Sequence, residues 1–207
     1  MSALSRKPWP MRWIVLVIVL CIGPYTYVNL KYRKPNKVFE PYADMKEQAN
    51  VKQLLEAGYN RVTVRAERPF PALAPSEITR GPAAQLAPAP GGLPDPLGQT
   101  LVEIPRLPLG YRSLVAPAEI SSLMPVRLQF TAQIETDHEQ LGGAQVFVRE
   151  NSVVIVPTFE PVPGKLQART RESDILLTLP AGALQPGEHI FTLAGARDSI
   201  RWTVLVR

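Results

Sequence analysis

One uninterrupted apolar segment, Trp13–Leu30, lies close to the N-terminus and limits what this chain can fold into. No charged residue falls between Arg12 and Lys31. With the two residues before it, the segment reaches the roughly 20 residues that an α-helix needs to cross a bilayer core. Pro24 falls late in the segment, where a helix in lipid tolerates it with a kink or a frayed last turn. The segment therefore predicts a single transmembrane helix over residues 13–30.

Aromatic residues flank both ends of this segment. Amphipathic rings at the two ends of a span form the belt that lies at the headgroup level of a bilayer. Asn29, at the outer end, is a candidate contact for other membrane helices, together with the neighbouring tyrosines. We predict five membrane-interface residues: Trp9, Trp13, Tyr25, Tyr27 and Tyr32.

Other readings of the segment fit less well. A cleaved signal peptide needs a site of small residues, and none follows Gly23. A lipoprotein signal would place a small residue before Cys21, where Leu20 stands. A buried helix of a soluble protein is usually shorter than this uncharged segment. The sequence therefore favours an uncleaved single-pass anchor.

The orientation of the anchor is only weakly encoded by charge, because basic residues lie on both sides. Long C-terminal domains are translocated largely regardless of flanking charge. We therefore predict an N-terminus inside and a periplasmic, extracytoplasmic C-terminal domain at the bacterial inner (cytoplasmic) membrane. The flanking basic residues are Arg6, Lys7 and Arg12 before the segment, and Lys31, Arg33, Lys34 and Lys37 after it.

The positive net charge belongs to the anchor. The chain has 23 Lys and Arg against 18 Asp and Glu, and residues 1–37 contain seven of the basic residues and no acidic one. Nucleic-acid binding needs a basic surface on the folded domain, so this composition argues against it. Basic flanks of a membrane span suit anionic lipid headgroups. The only cysteine, Cys21, lies in the anchor, which excludes an intramolecular disulfide.

Composition divides the chain into five segments. Residues 1–12 form a cytoplasmic tail, 13–30 the transmembrane helix, and 31–68 a juxtamembrane helix–strand unit. In that unit the helix is expected to run to about Ala57 with Gly58 as a left-handed stop, before a strand over Arg61–Glu67. Residues 69–97 contain eight prolines and predict a semi-rigid linker, or a strap docked along a neighbouring protein. Residues 98–207 form the last segment.

The last segment has the pattern of β-strands. Val126–Ile134 alternates apolar and polar residues, as does Ile200–Val206. Short strands separated by turn residues at this spacing predict an antiparallel β-sandwich, and the fold class is mainly β. The other predicted strands are Leu101–Ile104, Tyr111–Val115, Ala144–Val148, Val153–Val156, Asp174–Leu179 and His189–Leu193.

Four stretches in the last third share an order with a known kind of domain: Gly143–Val148, Val153–Val156, Asp174–Pro180 and Leu184–Phe191. In this order the chain resembles bacterial immunoglobulin-like domains of the IPT/TIG type. In such domains a strand that ends in proline precedes a Leu-x-Pro-Gly corner, and His189 stands where a tyrosine is common. The resemblance implies an Ig-like β-sandwich with a spacer or binding role at most. It implies no catalytic residue.

Chemistry-bearing motifs are scarce. His138 lies beside Asp137 and Glu139, but one histidine with two carboxylates lacks the ligands that zinc or copper needs. No serine has a Gly-x-Ser-x-Gly context, and the paired glycines read as turns. We expect no catalytic, cofactor or metal site. Phe159, in a loop flanked by prolines, is a candidate partner contact.

Three function classes follow from these features. The favoured one is a non-catalytic accessory or structural subunit of a larger membrane complex of respiratory, photosynthetic or transport type. Its expected partners are the lipid bilayer and other integral membrane subunits, with no nucleic acid and no evident small-molecule substrate. The alternative is an anchored envelope assembly or binding factor that engages partners transiently. An enzyme acting on envelope polymers or lipids ranks last, because the sequence nominates no residue for it.

Overall fold

The computed structural model describes residues 10–31, 43–69, 71–79, 81–162 and 170–207. The chain divides into two compact units, residues 1–43 and 44–207, and the first contains helix α1, Met11–Lys31. The remaining helices are α2 Ala43–Glu56, α3 Pro75–Ile78 and α4 Asp95–Thr100. The strands are β1 Asn60–Glu67, β2 Ala87–Pro90, β3 Gly110–Val115, β4 Glu119–Ile120, β5 Val126–Gln133, β6 Glu139–Arg149, β7 Ser152–Pro161, β8 Glu172–Leu179, β9 Gly187–Leu193 and β10 Asp198–Val206.

The strands form one curled, mixed sheet that resembles half of a barrel. Nine strands follow the order β2-β10-β9-β7-β6-β1-β8-β5-β3, and β4 is the tenth, paired with β10. The pairs β7–β9 and β4–β10 are parallel, whereas the neighbours along the rest of the path are antiparallel. The fold is mainly β with an N-terminal apolar helix, as predicted. The prediction of a two-sheet antiparallel sandwich is wrong.

Strand β1 is the reason that the sheet is continuous. Its residues Asn60–Arg65 pair with β6, and its last two residues, Ala66 and Glu67, pair with β8. The strand thus joins two groups of strands that a sandwich would keep apart. Its alternation was visible in the sequence, but its position between two strands from the far end of the chain was not.

Two apolar clusters lie on opposite sides of the sheet. The inner cluster fills the concave side and includes Phe130, Phe191 and Trp202. On the convex side, α2 and α4 cover β6 and β7, and they bring Leu54 and Leu97 against Phe147. Strand β7 is therefore buried on both faces, which explains why its sequence is continuously apolar rather than alternating.

Helix α2 ends as the sequence predicts. Gly58 has φ +78°, and its N–H donates to the carbonyl of Leu55 at 3.0 Å. The N–H of Tyr59 donates to the carbonyl of Leu54 at 2.8 Å. These two bonds form a Schellman motif, and the accompanying apolar contact joins Leu54 and Tyr59 in the outer cluster. The motif turns the chain directly from α2 into β1.

The two ends of the curled sheet meet at the turn between β9 and β10. The N–H of Ala196 donates to the carbonyl of Pro108 at 2.7 Å, and that of Arg197 to Leu109 at 3.0 Å. One residue into β3, the hydroxyl of Tyr111 donates to the carbonyl of Ala194 at 2.5 Å. The corner before β9 is fastened in a similar way, because Nε2 of the buried His189 donates to the carbonyl of Gln185 at 2.8 Å.

Much of the proline-rich segment lies along the sheet of its own chain. The N–H of Leu73 donates to Oε1 of Gln129 on β5 at 3.1 Å. Further along, Ala83 bridges Pro117, and Ala87–Pro90 forms strand β2 at the edge of β10. The helix α4 follows, where the sequence suggested no helix. The predicted strand at Leu101–Ile104 is wrong, because Leu101 ends α4 and is buried in the outer cluster.

Strand β2 alternates alanine and proline, and this alternation closes the edge that it forms. Proline has no amide hydrogen, so hydrogen bonding to β10 falls to Ala87 and Ala89. Successive residues of a strand direct their backbone groups to opposite edges, so the outer edge of β2 carries no N–H donor at Pro88 or Pro90. An edge without donors is a poor template for another chain.

Replacing both Pro88 and Pro90 with threonine is therefore expected to promote self-association. Two new N–H groups would point away from β10 and could pair with a second molecule. Analytical ultracentrifugation of the solubilised full chain at rising concentration measures the effect. The matched control is Pro71→Thr, which changes an exposed proline outside the strand. Equal association of the control and the double variant would contradict the role given to β2.

Candidate functional site

Helix α1 is the most distinctive feature that the structure presents to its surroundings. Its window Met11–Val28 has a mean hydropathy of 1.8 over 18 residues and contains one charged residue, Arg12. Length and composition suffice to cross a membrane, as a membrane anchor or as a signal sequence. The helix continues through Pro24, and the hydroxyl of Thr26 donates to the carbonyl of Ile22 at 2.8 Å.

The predicted interface residues of α1 lie near its two ends. Trp13 is exposed in the first turn, and Tyr25 and Tyr27 are exposed in the last third, with Nζ of Lys31 at 5.8 Å from the centroid of the Tyr27 ring. Asn29 belongs to the last turn of the helix. Two further predicted residues, Trp9 and Tyr32, lie outside the described part of the chain.

Phe159, the predicted partner contact, lies near the end of β7 rather than in a free loop. Its ring is half-buried against the inner cluster, and the guanidinium of Arg106 lies 5.4 Å from the ring centroid. Arg106 also pairs with Glu139 at 2.6 Å. The guanidinium of Arg106 therefore lies against the ring, and partner contact by Phe159 stays a prediction.

Ionisable side chains do not converge in the described ranges. No group of three or more His, Cys, Asp or Glu residues is placed there to hold a metal ion. His138 is exposed, and its Nε2 lies 3.6 Å from Oδ1 of Asp137, as a solvated surface pair. On the convex face a chain of hydrogen bonds joins Ser113 to Thr131 at 2.8 Å and Thr131 to Asp174 at 2.6 Å. This chain links three neighbouring strands, and its carboxylate accepts from the threonine rather than from the serine.

Tyr111 is the described residue whose pKa departs clearly from its ordinary value. Burial raises the pKa of its phenol well above the usual range, because an apolar environment disfavours the phenolate. The ring meets Phe130 edge-to-face, with centroids 5.5 Å apart, and the hydroxyl bonds the carbonyl of Ala194. The neutral side chain thus stabilises the seam between the two ends of the sheet.

Alkaline pH is therefore expected to weaken the fold through Tyr111. The folded state holds the phenolic proton more tightly than the unfolded chain. The contribution of Tyr111 to the free energy of unfolding should be constant below about pH 10, the ordinary tyrosine pKa, and should be lost progressively above it. Urea unfolding of wild type and Tyr111→Phe between pH 8 and 11 measures the difference. If the free energy of unfolding fell by the same amount in both proteins as the pH rose, Tyr111 would not be the group responsible.

Two grooves on the domain are large enough to receive part of another molecule. The first, about 400 Å³, is apolar and lies on α2 beside Val51 and Leu55. The second, about 360 Å³, lies at the β6–β7 hairpin and contains Arg149 and Arg201. Sequence reasoning did not identify either groove. The arginines are 52 positions apart, and their strands are brought together by the pairing of β6 with β7, of β7 with β9 and of β9 with β10.

Comparisons with known proteins give no relative from which a role could be transferred. No protein-family model, no curated protein and no solved structure matches this chain.

Proposed function

We propose that this chain is a non-catalytic, membrane-anchored accessory subunit of a larger membrane complex. The observation that carries the proposal is the length and composition of α1. An 18-residue helical window this apolar, with Arg12 as its single charge, is long enough to cross a bilayer core and satisfies its backbone hydrogen bonds internally. The domain then serves as a binding or structural module on the far side of the membrane.

The proposed orientation has the N-terminus in the cytoplasm and the domain in the periplasm of a bacterial cell. Similar numbers of basic residues lie on the two sides of α1, so the positive-inside rule does not choose between the two orientations. The length of the C-terminal domain favours its translocation. Eleven residues separate Lys31 from Ala43. A chain of that length spans at most about 40 Å. The domain would consequently work close to the membrane surface.

The outer third of α1 is the proposed contact with partner helices. Pro24 removes one backbone donor from the helix, so one carbonyl in the preceding turn lacks its usual bond. Tyr25 and Tyr27 add exposed hydroxyl groups close to that point. Polar groups of this kind hydrogen-bond between helices in lipid, where no water competes.

A helix exchange tests this proposal. In one variant, residues 14–30 are replaced by a leucine-rich helix of equal length, so that Trp13 and both basic flanks remain. Wild type is expected to migrate in a large assembly on a blue-native gel in mild detergent. The exchanged chain should remain in carbonate-washed membranes yet migrate alone. Free migration of the wild type would contradict the proposal, as would a mature N-terminus that lacks residues 1–31.

A second candidate function is the anchored assembly or binding factor, and the free edge of β3 favours it. Strand β3 ends the sheet, and within the described ranges no strand pairs with it on the side away from β5. An extended segment of a client protein could add to that edge. This function predicts substoichiometric co-purification with immature complexes. A fixed ratio to a mature complex would support the accessory subunit instead.

A further inference from the structure

The groove at the β6–β7 hairpin contains two arginines and one carboxylate, and it lies on a domain whose own net charge is slightly negative. Arg149 is the last residue of β6, and Arg201 pairs with Thr192 across β10 and β9. Both arginines line the same cavity of about 360 Å³. Residues 38–207 together hold 16 basic and 18 acidic residues, so this positive site is local.

Arg149 is held in position before any ligand arrives. Its guanidinium lies 5.0 Å from the centroid of the Tyr59 ring, and its aliphatic stem passes close to Gly58. Tyr59 is itself buried in the outer cluster. A planar guanidinium fixed on an aromatic ring loses little conformational freedom when it binds an oxyanion. The α2–β1 corner therefore supports the groove from below.

Both guanidiniums keep their donors available with respect to the described part of the chain. Among the described ion pairs, none involves Arg149 or Arg201. Ser152 and Thr192 add hydroxyl groups to the same cavity. Arginine forks and hydroxyl groups together match the oxygen atoms of a carboxylate. One carboxylate, that of Glu150, borders the cavity and opposes an incoming anion.

The cavity also has an apolar side. Ile190 is 47% exposed, and both it and Pro94 line the groove beside the charged groups. A bare ion would gain nothing from these side chains. An extended peptide with alternating acidic and apolar residues would use both sides of the groove, because its neighbouring side chains point in opposite directions.

We propose that this groove binds an acidic, extended segment of a partner protein through Arg149 and Arg201. This inference rests on the proposed function, because it names the chemistry by which the anchored domain recognises its partner. A protein partner is favoured over an anionic lipid surface, since the domain as a whole has no positive excess to draw it to such a surface.

The test uses the full chain in nanodiscs of zwitterionic lipid and a fluorescent peptide of alternating Glu and Leu. Fluorescence anisotropy should show binding that is lost when every Glu is replaced by Gln. Arg201→Gln is expected to weaken binding about tenfold, as loss of a charge-assisted hydrogen bond would. Glu150→Gln should strengthen binding about twofold or more, because it removes the opposing charge.

Arg127→Gln is the matched control, since it removes the same charge from an exposed arginine on β5. Arg149→Lys keeps the charge but loses the planar stack on Tyr59, so it should weaken binding less than Arg149→Gln. Equal weakening by Arg127→Gln and Arg201→Gln would overturn the proposal. Peptide binding with an affinity that Arg201→Gln leaves unchanged would also overturn it. A third contradicting result would be that the protein binds phosphatidylglycerol vesicles through Arg201 but does not bind the peptide.

The outcomes separate this inference from the function on which it rests. If the blue-native assembly persists while the peptide experiment fails, the groove is not the contact and the accessory role stands. If Arg201→Gln removes the chain from the assembly and also weakens peptide binding, both the groove contact and the accessory role hold. If peptide binding follows Arg201 but no assembly forms, the groove serves a transient partner and the accessory role fails.

Discussion

Gly143→Ala is expected to destabilise the domain by about 3 kcal/mol, near the upper end for adding one carbon to a packed site. A Cβ at this position would overlap the backbone carbonyl of Val64 on the neighbouring strand β1. Arg65 of β1 lies opposite Gly143 of β6. The clash can therefore be relieved only by shifting the hydrogen-bonded pairing between these two strands. The free energy of unfolding in urea measures the loss.

The adjacent residue supplies the control for this prediction. A Cβ on Gly142 would meet the side chain of Glu160 rather than backbone. A flexible side chain can move, so Gly142→Ala should cost about 1 kcal/mol or less. Trp202, buried and stacked on Phe191 with centroids 5.3 Å apart, reports unfolding by fluorescence if the anchor tryptophans are replaced by Phe. Equal losses at both glycines would argue against a close approach of β1 and β6.

Phe147→Ala is expected to lower the free energy of unfolding by about 3–5 kcal/mol, the range for a buried aromatic residue. Phe147 is fully buried and projects to the convex side of β6, where it meets α2 and α4. The truncation would leave a cavity beneath both helices. Relative to wild type, amide hydrogen exchange should accelerate more in α2 than in β5, which would identify the outer layer as the part that the truncation loosens.

Phe159→Ala is the comparison for that variant, because its ring is only half-buried on the same pair of strands. It should cost clearly less than Phe147→Ala. The convex cluster would not be a separate layer if both variants lost the same free energy of unfolding. The same would follow if Phe147→Ala accelerated amide exchange equally in α2 and β5, relative to wild type.

The sequence predicts strands well where one face of a strand meets solvent. In β5 and β10 apolar and polar residues alternate, and the predicted limits differ from the observed ones by two residues at most. Strand β7 was predicted as a strand from Val153–Val156, but its second buried face was missed. A continuous apolar run indicates burial on both sides, and this signal could have suggested the helical layer outside it.

Other parts of the fold depend on distant partners and leave no local signal. The alternation of β1 says nothing of β6 and β8, which lie roughly 80 to 115 residues further along the chain. The segment Asp95–Thr100 forms α4 because Leu97 is buried under it, although proline and glycine there argue for a loop. The aromatic residues of α1 were identified from position alone. Arg149 and Arg201 were not, because charge patterns along a chain do not show which strands become neighbours.

The central place of β1 has a consequence for how the protein is made. This strand is the first of the sheet to leave the ribosome, yet its partners in β6 and β8 follow much later. Sheets built from contacts so far apart in sequence form slowly, since a long loop must close before any pairing compensates for it. Strand β1 therefore stays unpaired until β6 and β8 have been synthesised, and this interval is the longest opportunity for a chaperone to bind it.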